Sequence, residues 1–149
     1  MSKIALGTVQ FGVDYGINSI SGQVASNEVV NILNYARSHK IGLLDTAPTY
    51  GNSEQILGDA KVKDFKIVTK TRYFDQTIIT DKEISLLTSD LNQSMQSLKQ
   101  KSLYGLLVHN ADDLFKTGAD KIINQLQAFK QQGLISNIGG SIYTGDQLQ

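Results

Sequence analysis

Short apolar runs alternate with longer amphipathic segments along the chain. Five apolar runs begin near residues 4, 41, 66, 103 and 136. Most of them are nearly continuous in hydrophobicity, which is typical of strands that are buried on both faces of a parallel sheet. Between the runs, apolar residues recur at helical spacing, and this pattern predicts helices within residues 25–40, 52–60, 80–100 and 118–133. The predicted order is strand then helix, four times over, followed by a fifth strand.

The spacing of the runs indicates the architecture. Strand starts lie about 33 residues apart, so eight such units need about 264 residues, close to the roughly 250 of a (β/α)8 barrel. The chain has 149 residues. We therefore expect an α/β protein that forms a parallel half-barrel, about four and a half units of a TIM-type (β/α)8 barrel, as a single truncated domain over residues 1–149. Periodicity alone leaves an open doubly wound sheet as the alternative.

Composition narrows the classes of partner. The 14 basic residues balance the 14 acidic ones, which gives no electrostatic reason to expect nucleic acid or an anionic membrane. The chain has no cysteine, so disulfides and thiolate metal sites are excluded. No apolar run approaches the roughly 20 residues of a membrane span, and residues 1–12 do not have the pattern of a signal peptide. We expect a cytoplasmic protein whose partner is a small molecule.

Ionisable side chains end three consecutive predicted strands. Asp45 ends the second, Lys70 the third and His109 the fourth, and Tyr50 lies in the loop just after Asp45. Each alone has an ordinary explanation: a helix cap, a solvated charge, a structural histidine and a packing tyrosine. Parallel strands, however, place their carboxyl ends at one rim, where the chemistry of such folds gathers. The four side chains are therefore expected to share one pocket.

The residue types indicate carbonyl chemistry. An ammonium favours the phenolate form of a nearby tyrosine, so Lys70 can help Tyr50 to give up a proton, and Asp45 can hold Lys70 by an ion pair. His109 can donate a hydrogen bond to a carbonyl oxygen. No side chain supplies a hydride, so a nicotinamide is the expected source. Pro48 is expected to stiffen the turn before Tyr50, and the glycine at 51 to give the backbone freedom after it.

Several stretches resemble one family. DTAPTYGNSEQILG, residues 45–58, is similar to the aspartate–tyrosine signature of the aldo-keto reductases. LGTVQFG resembles that family's first strand, KIVTKT its lysine strand, LLVHNADDL its histidine strand, and NIGGSIYTGDQL its fifth strand. The chain thus resembles the N-terminal half of an aldo-keto reductase. The resemblance implies a (β/α)8 barrel and the NADPH-dependent interconversion of carbonyl and alcohol.

The resemblance also implies residue roles. Asp45, Tyr50, Lys70 and His109 match the family's catalytic four, with Tyr50 as the general acid. Thr8, Asp45 and Ser141 match positions that line the nicotinamide, and no metal is implied. LGTVQFGVDYGI and LLVHNADDL are similar to members found beside bacterial surface-polysaccharide genes, which implies a sugar-like substrate.

The chain departs from the family in three respects. Gly140 stands where the family usually has valine, and Ile142 stands where it often has asparagine, so Ile142 cannot hydrogen-bond the nicotinamide carboxamide. The last three strands of the family's barrel, which bind the adenosine phosphates, have no counterpart, and no GxGxxG or GxxxxGK sequence replaces them. NADPH is therefore expected to bind this chain weakly or not at all.

Two other functions stay open on the sequence. A half-barrel that no longer catalyses is an alternative, acting as an interaction or assembly module. A barrel enzyme that uses Lys70 as a Schiff-base nucleophile is a weaker one. Geometry also predicts self-association: an open half-barrel is expected to expose Leu6, Leu44, Val68 and Leu107 on its inner face and to have unpaired apolar edges. We expect a dimer or larger assembly, or a partly unfolded and aggregating chain, rather than a compact monomer.

Overall fold

A computed structural model describes residues 4–16 and 22–148. Its five strands form one sheet: β1 (Leu6–Gly7), β2 (Leu43–Asp45), β3 (Lys66–Lys70), β4 (Leu103–Val108) and β5 (Ile135–Gly140). Its α-helices are α1 (Val9–Gly12), α2 (Ser26–Ser38), α3 (Ser53–Asp59), α4 (Asp81–Ser97) and α5 (Asp120–Gln131). Two 3₁₀ helices cover Ala111–Phe115 and Gly145–Leu148.

The order of the strands distinguishes between the two architectures. Every strand pairs in parallel with the next one in the sequence, giving the order β1-β2-β3-β4-β5. A doubly wound sheet reverses its order at a switch point, whereas a barrel adds its strands in sequence. The doubly wound alternative is therefore wrong, and the prediction of an α/β half-barrel is confirmed.

The strand register assigns side chains to the two faces of the sheet. Leu44 pairs with Leu6 and with Ile67, whereas Asp45 pairs with Val68. Because side chains alternate along a strand, Leu44 and Leu6 lie on the face opposite Val68. Leu44 is fully buried in the core, and Val68 is half-buried. The expectation that Leu6 and Leu44 line the inner face was wrong, because alternation cannot be assigned across strands until their register is known.

The opposite face is marked by two glycines. A Cβ atom on Gly105 would lie 3.3 Å from the Val68 side chain, and one on Gly139 would lie 2.9 Å from Leu107. Val68 and Leu107 therefore share the inner face with these glycines. The prediction that Val68 and Leu107 lie on the inner face agrees with this arrangement. The inner face is less bulky than the sequence suggested, because β4 and β5 contribute glycine to it.

The core lies between the sheet and its helices. Apolar residues from α2 to α5, each at most 3% exposed, meet the sheet there: Val29, Leu33, Leu57, Leu87, Leu91, Ile122, Leu126 and Phe129. Burying one such side chain contributes about 1.5–3 kcal/mol. This packing holds the strands in line, so that their carboxyl ends present loops at a common rim.

The helices differ in how their N-termini are capped. Thr80 and Glu83 form a reciprocal capping box at the start of α4. At the start of α2, Ala25 is the N-cap residue and Ser26 is the first helical residue, so no side chain caps that helix. At the start of α3, the N-cap residue Asn52 makes no side-chain cap bond, and the Ser53 hydroxyl contacts Thr8.

The edge of the sheet at β5 is polar. Its exposed positions are Ser136, Asn137 and Gly140, and the Asn137 side chain donates to the Tyr104 carbonyl oxygen at 2.7 Å. The expectation of apolar edges was therefore wrong for this strand. Within the described ranges, no helix is both long enough and apolar enough to cross a membrane.

Candidate active site

A buried ion pair joins the ends of β2 and β3. The Lys70 ammonium donates to both carboxylate oxygens of Asp45, at 2.7 and 2.8 Å, and to the Thr46 carbonyl oxygen at 3.0 Å. The Lys70 side chain is only 6% exposed, whereas that of Asp45 is 36% exposed. The two strands are parallel neighbours, so both side chains leave the sheet at the same end. The carboxylate keeps the ammonium in place and still faces solvent.

Tyr50 lies on a tight turn beside this pair. The Tyr50 amide donates to the Ala47 carbonyl oxygen at 3.0 Å, and Gly51 has a φ of +57°, as its predicted role requires. The Lys70 ammonium lies 4.9 Å from the centroid of the Tyr50 ring. This distance is within the range of a cation–π contact. One ammonium therefore contacts both the Asp45 carboxylate and the Tyr50 ring.

Close backbone contact fixes the position of the Tyr50 turn. A Cβ atom on Gly12 would lie 1.7 Å from the Tyr50 carbonyl oxygen, and one on Gly51 would lie 2.4 Å from the Gly12 carbonyl oxygen. Both positions therefore require glycine. The sequence analysis missed the part played by Gly12, because a contact between residues so far apart in the sequence leaves no local pattern.

Thr8 supports the site from beneath. Its side chain is fully buried, and its hydroxyl donates to the main-chain carbonyl oxygen of Asp45 at 2.9 Å. The Ser53 hydroxyl lies 2.9 Å from the Thr8 carbonyl oxygen and 3.0 Å from the Thr8 hydroxyl. These contacts tie the ends of β1 and β2 to the start of α3. The role of Thr8 beside a nicotinamide stays a prediction.

His109 lies at the end of β4 and is 2% exposed. Its main-chain amide donates to the Thr71 hydroxyl at 3.1 Å, and its ring centroid lies 6.1 Å from that of Tyr50, edge to face. Burial, and secondarily the Lys70 charge, lowers the pKa of His109 below its usual value. The neutral imidazole is therefore favoured at neutral pH.

Tyr73 is a member of the cluster that the sequence analysis missed. Its hydroxyl lies 2.9 Å from Nε2 of His109, and the two rings stack at 4.2 Å with an interplanar angle of 27°. Partial desolvation, and secondarily the neighbouring tyrosines, raise the pKa of Tyr73, so its hydroxyl stays protonated. Its place three residues after Lys70 was visible in KIVTKTRYFD, but a loop has no periodicity that reveals where its side chains point.

The structure thus brings Asp45, Tyr50, Lys70 and His109 together at one rim. Ser141, after β5, is half-buried, and its amide donates to the Val108 carbonyl oxygen at 2.9 Å, one residue before His109. Among residues 4–16 and 22–148, no three His, Asp or Glu side chains are grouped so that they could hold a metal ion.

Solved structures share this fold. The PA4992 protein of Pseudomonas aeruginosa, provisionally assigned as an aldo-keto reductase, is 29% identical with a TM-score of 0.75, over 92% of this chain and 54% of that one. The glycerol dehydrogenase AKR11B4 of Gluconobacter oxydans is 24% identical with a TM-score of 0.74, over 99% of this chain and 47% of that one. The second likeness shows the fold alone. The chain spans about half the length of these structures.

The sequence itself gives the family. No curated protein matches the chain significantly. The sequence model of the aldo/keto reductase family matches residues 3–149, which confirms the family resemblance. The match and the fold agree that the chain corresponds to the N-terminal half of the barrel. The chain belongs to the aldo-keto reductase family.

Proposed function

We propose that this site reduces an aldehyde or ketone with hydride from NADPH, and that Tyr50 is the general acid. The observation that carries the proposal is the placement of the Lys70 ammonium between the Asp45 carboxylate and the Tyr50 ring. Membership of the aldo-keto reductase family supports it, because these oxidoreductases generally use NAD(P)H. The similarity of LLVHNADDL to members linked with surface polysaccharides supports a sugar-like substrate.

The chain's own residues would handle the proton and the developing charge. When bound, the nicotinamide supplies a hydride to the carbonyl carbon. The electron pair of the carbonyl π bond then moves to oxygen, which takes the proton of the Tyr50 hydroxyl, so the product is an alcohol. The Lys70 ammonium stabilises negative charge that develops on the phenol, and Asp45 fixes the position of that ammonium. The neutral imidazole of His109 has an N–H that can orient the carbonyl oxygen.

The residues present fit one end of the cofactor. The Asp45 carboxylate is 36% exposed and Ser141 is half-buried, so both can contact a nicotinamide. Thr8 is fully buried, and its hydroxyl donates to the main-chain carbonyl oxygen of Asp45. Ile142 has no side-chain group that can hydrogen-bond the nicotinamide carboxamide. NADPH is therefore expected to bind through few contacts. Its Kd should be weaker than the low micromolar range, which corresponds to a binding free energy of about −8 kcal/mol.

Two other readings of the cluster have less support. A Schiff-base lysine must be neutral to attack a carbonyl, whereas the Lys70 ammonium donates to both oxygens of Asp45. No observation favours the inactive interaction module. A cytoplasmic location stays a prediction.

Self-association remains part of the proposal. The inner face carries Val68 and Leu107, both half-buried. Four strands from each of two chains would sum to the eight of a closed barrel, whose interior side chains can fill, and β5 of each chain would then have to stand aside or be exchanged. Because the edge at β5 is polar, contact between the inner faces of two chains is better supported than contact through an apolar edge at β5.

The direct test is turnover by the purified chain. With millimolar NADPH and benzaldehyde, benzyl alcohol should form in proportion to protein, and none should form when NADPH is omitted. NADPH titration followed by cofactor fluorescence supplies the Kd. Absence of benzyl alcohol at every protein and NADPH concentration would contradict the proposed function. A low micromolar Kd would instead show that the strands beyond β5 are not needed for binding.

A further inference from the structure

The imidazole of His109 has one hydrogen-bonded ring nitrogen and one bare one. Nε2 lies 2.9 Å from the Tyr73 hydroxyl, whereas Nδ1 is buried and makes no hydrogen bond of normal geometry within the described part of the chain, although the Thr71 main chain is near enough to act on the pKa of the ring. A buried N–H group without an acceptor is rarer in proteins than a buried acceptor without a donor. The ring proton is therefore best placed on Nε2, which donates to the Tyr73 oxygen.

Nε2 is also the nitrogen that a carbonyl substrate would have to reach, because Nδ1 is buried. His109 is 2% exposed, and the Tyr73 ring covers its face at 4.2 Å. An N–H group aimed at one oxygen cannot be aimed equally well at a second one. A carbonyl oxygen can therefore take this hydrogen bond only when the Tyr73 hydroxyl gives it up.

Tyr73 is free to give it up. Tyr73 is 46% exposed, and it follows β3 in a loop rather than in a strand or helix. Its pKa is raised, so the neutral phenol rather than a phenolate is the competitor. A hydrogen bond between neutral groups adds little net free energy, so a carbonyl of similar strength can displace it.

We propose that Tyr73 determines which carbonyls reach His109, because its hydroxyl occupies Nε2 and its ring occupies the space over the imidazole. This inference rests on the proposed function. It goes beyond that function by assigning a specificity-determining residue outside the four predicted ones. A ketone with a flat ring is favoured, since its ring can replace the Tyr73 ring against the imidazole while its oxygen replaces the phenol oxygen.

The first test reads the imidazole directly. The chain has two histidines, so long-range ¹H–¹⁵N spectra of the labelled protein contain two ring systems. We expect the Nε2–H tautomer for His109, and faster exchange of that proton with water in Tyr73→Phe, which keeps the ring but loses the hydroxyl. Tyr35→Phe is the matched control, because Tyr35 stacks on the other histidine, His39, at 3.9 Å. Its substitution should leave the His109 signals unchanged.

The second test measures competition with acetophenone as the probe and no cofactor present. Binding is followed by the His109 ring signals. Tyr73→Phe should bind acetophenone roughly two- to tenfold more tightly than the parent, the range of a net hydrogen bond between neutral groups. Tyr35→Phe should match the parent. Tyr73→Leu provides a second variant, with the backbone amide spectrum showing that each variant is folded.

Three results would overturn the inference: an Nδ1–H tautomer in the parent, equal or weaker acetophenone binding by Tyr73→Phe, or no detectable binding by that variant. Because the probe experiment needs no reduction, its outcome is separate from that of the proposed function. A chain that gains affinity on losing the hydroxyl but never forms alcohol keeps the role of Tyr73 and refutes the reductase.

Discussion

Replacing Asp45 with alanine should destabilise the fold through Lys70. The Lys70 side chain is 6% exposed, and after the substitution its ammonium would keep one described hydrogen bond, to the Thr46 carbonyl oxygen, and its contact with the Tyr50 ring. Removing one partner of a buried ion pair typically costs 3–5 kcal/mol. Because the Asp45 side chain is 36% exposed, solvent screens part of the interaction, so we expect a loss of about 2–4 kcal/mol.

Replacing Lys70, the other partner of the pair, should lower the free energy of unfolding by less. Lys70→Met leaves the carboxylate of Asp45, which can take up water through its exposed side, and it puts an apolar side chain of similar length in the buried position. In the double variant no unpaired ammonium is left. Its loss should therefore be smaller than the sum of the two single losses, with a coupling free energy of about 1–3 kcal/mol.

Urea unfolding followed by far-UV circular dichroism measures these free energies. Lys99→Met is the matched control, because the Lys99–Asp59 pair has a similar distance, 2.6 Å, but both side chains are more than half exposed. That variant should unfold at nearly the parental urea concentration. If Asp45→Ala is no more destabilising than Lys99→Met, or if the double variant is strictly additive, the argument from a buried ammonium is refuted.

Three further predictions concern the turn, pH and assembly. Gly12→Ala should lower the free energy of unfolding by about 1–3 kcal/mol, because its Cβ would meet the Tyr50 carbonyl oxygen. Gly7→Ala is the control and should be tolerated, because there is open space around Gly7. The urea midpoints of the two variants are compared with that of the parent. Burial lowers the pKa of His109 in the folded chain, so between the folded and the unfolded pKa values the unfolded chain binds more protons. The free energy of unfolding should therefore fall as the pH drops below about 6.5, the usual pKa of histidine. His109→Gln should reduce that fall, as measured by urea titrations across pH. Sedimentation equilibrium should show a dimer or larger assembly, and a compact 16.3 kDa monomer with one cooperative thermal transition would contradict the shared inner face.

The sequence predicted the rim cluster because two simple rules were enough. Parallel strands end at the same edge, and Asp45, Lys70 and His109 each end an apolar run. The register then brings β2 beside β3 and β3 beside β4, so neighbours in the sequence become neighbours in space. Local pattern and fold agree here, and this agreement made the prediction possible.

Other features depended on contacts that no local pattern encodes. Tyr73 contacts His109 from a loop, and Gly12 meets the Tyr50 turn across a long stretch of sequence. The face of Leu44 depended on register, because a shift of one residue exchanges the two faces of a strand. These misses share a cause: alternation and helical spacing describe one element at a time, whereas each of these contacts joins two.

The central claim is that Tyr50 protonates the carbonyl oxygen, and its most direct test is the rate of alcohol formation by Tyr50→Phe. The control is Tyr104→Phe, because Tyr104 also has a lysine ammonium over its ring, that of Lys66 at 4.6 Å, but lies on β4 outside the cluster. With NADPH and benzaldehyde, Tyr50→Phe should be slower than the parent by the roughly 10²–10⁴-fold typical of general acid catalysis. Tyr104→Phe should match the parent. Equal rates for Tyr50→Phe and the parent would contradict the account.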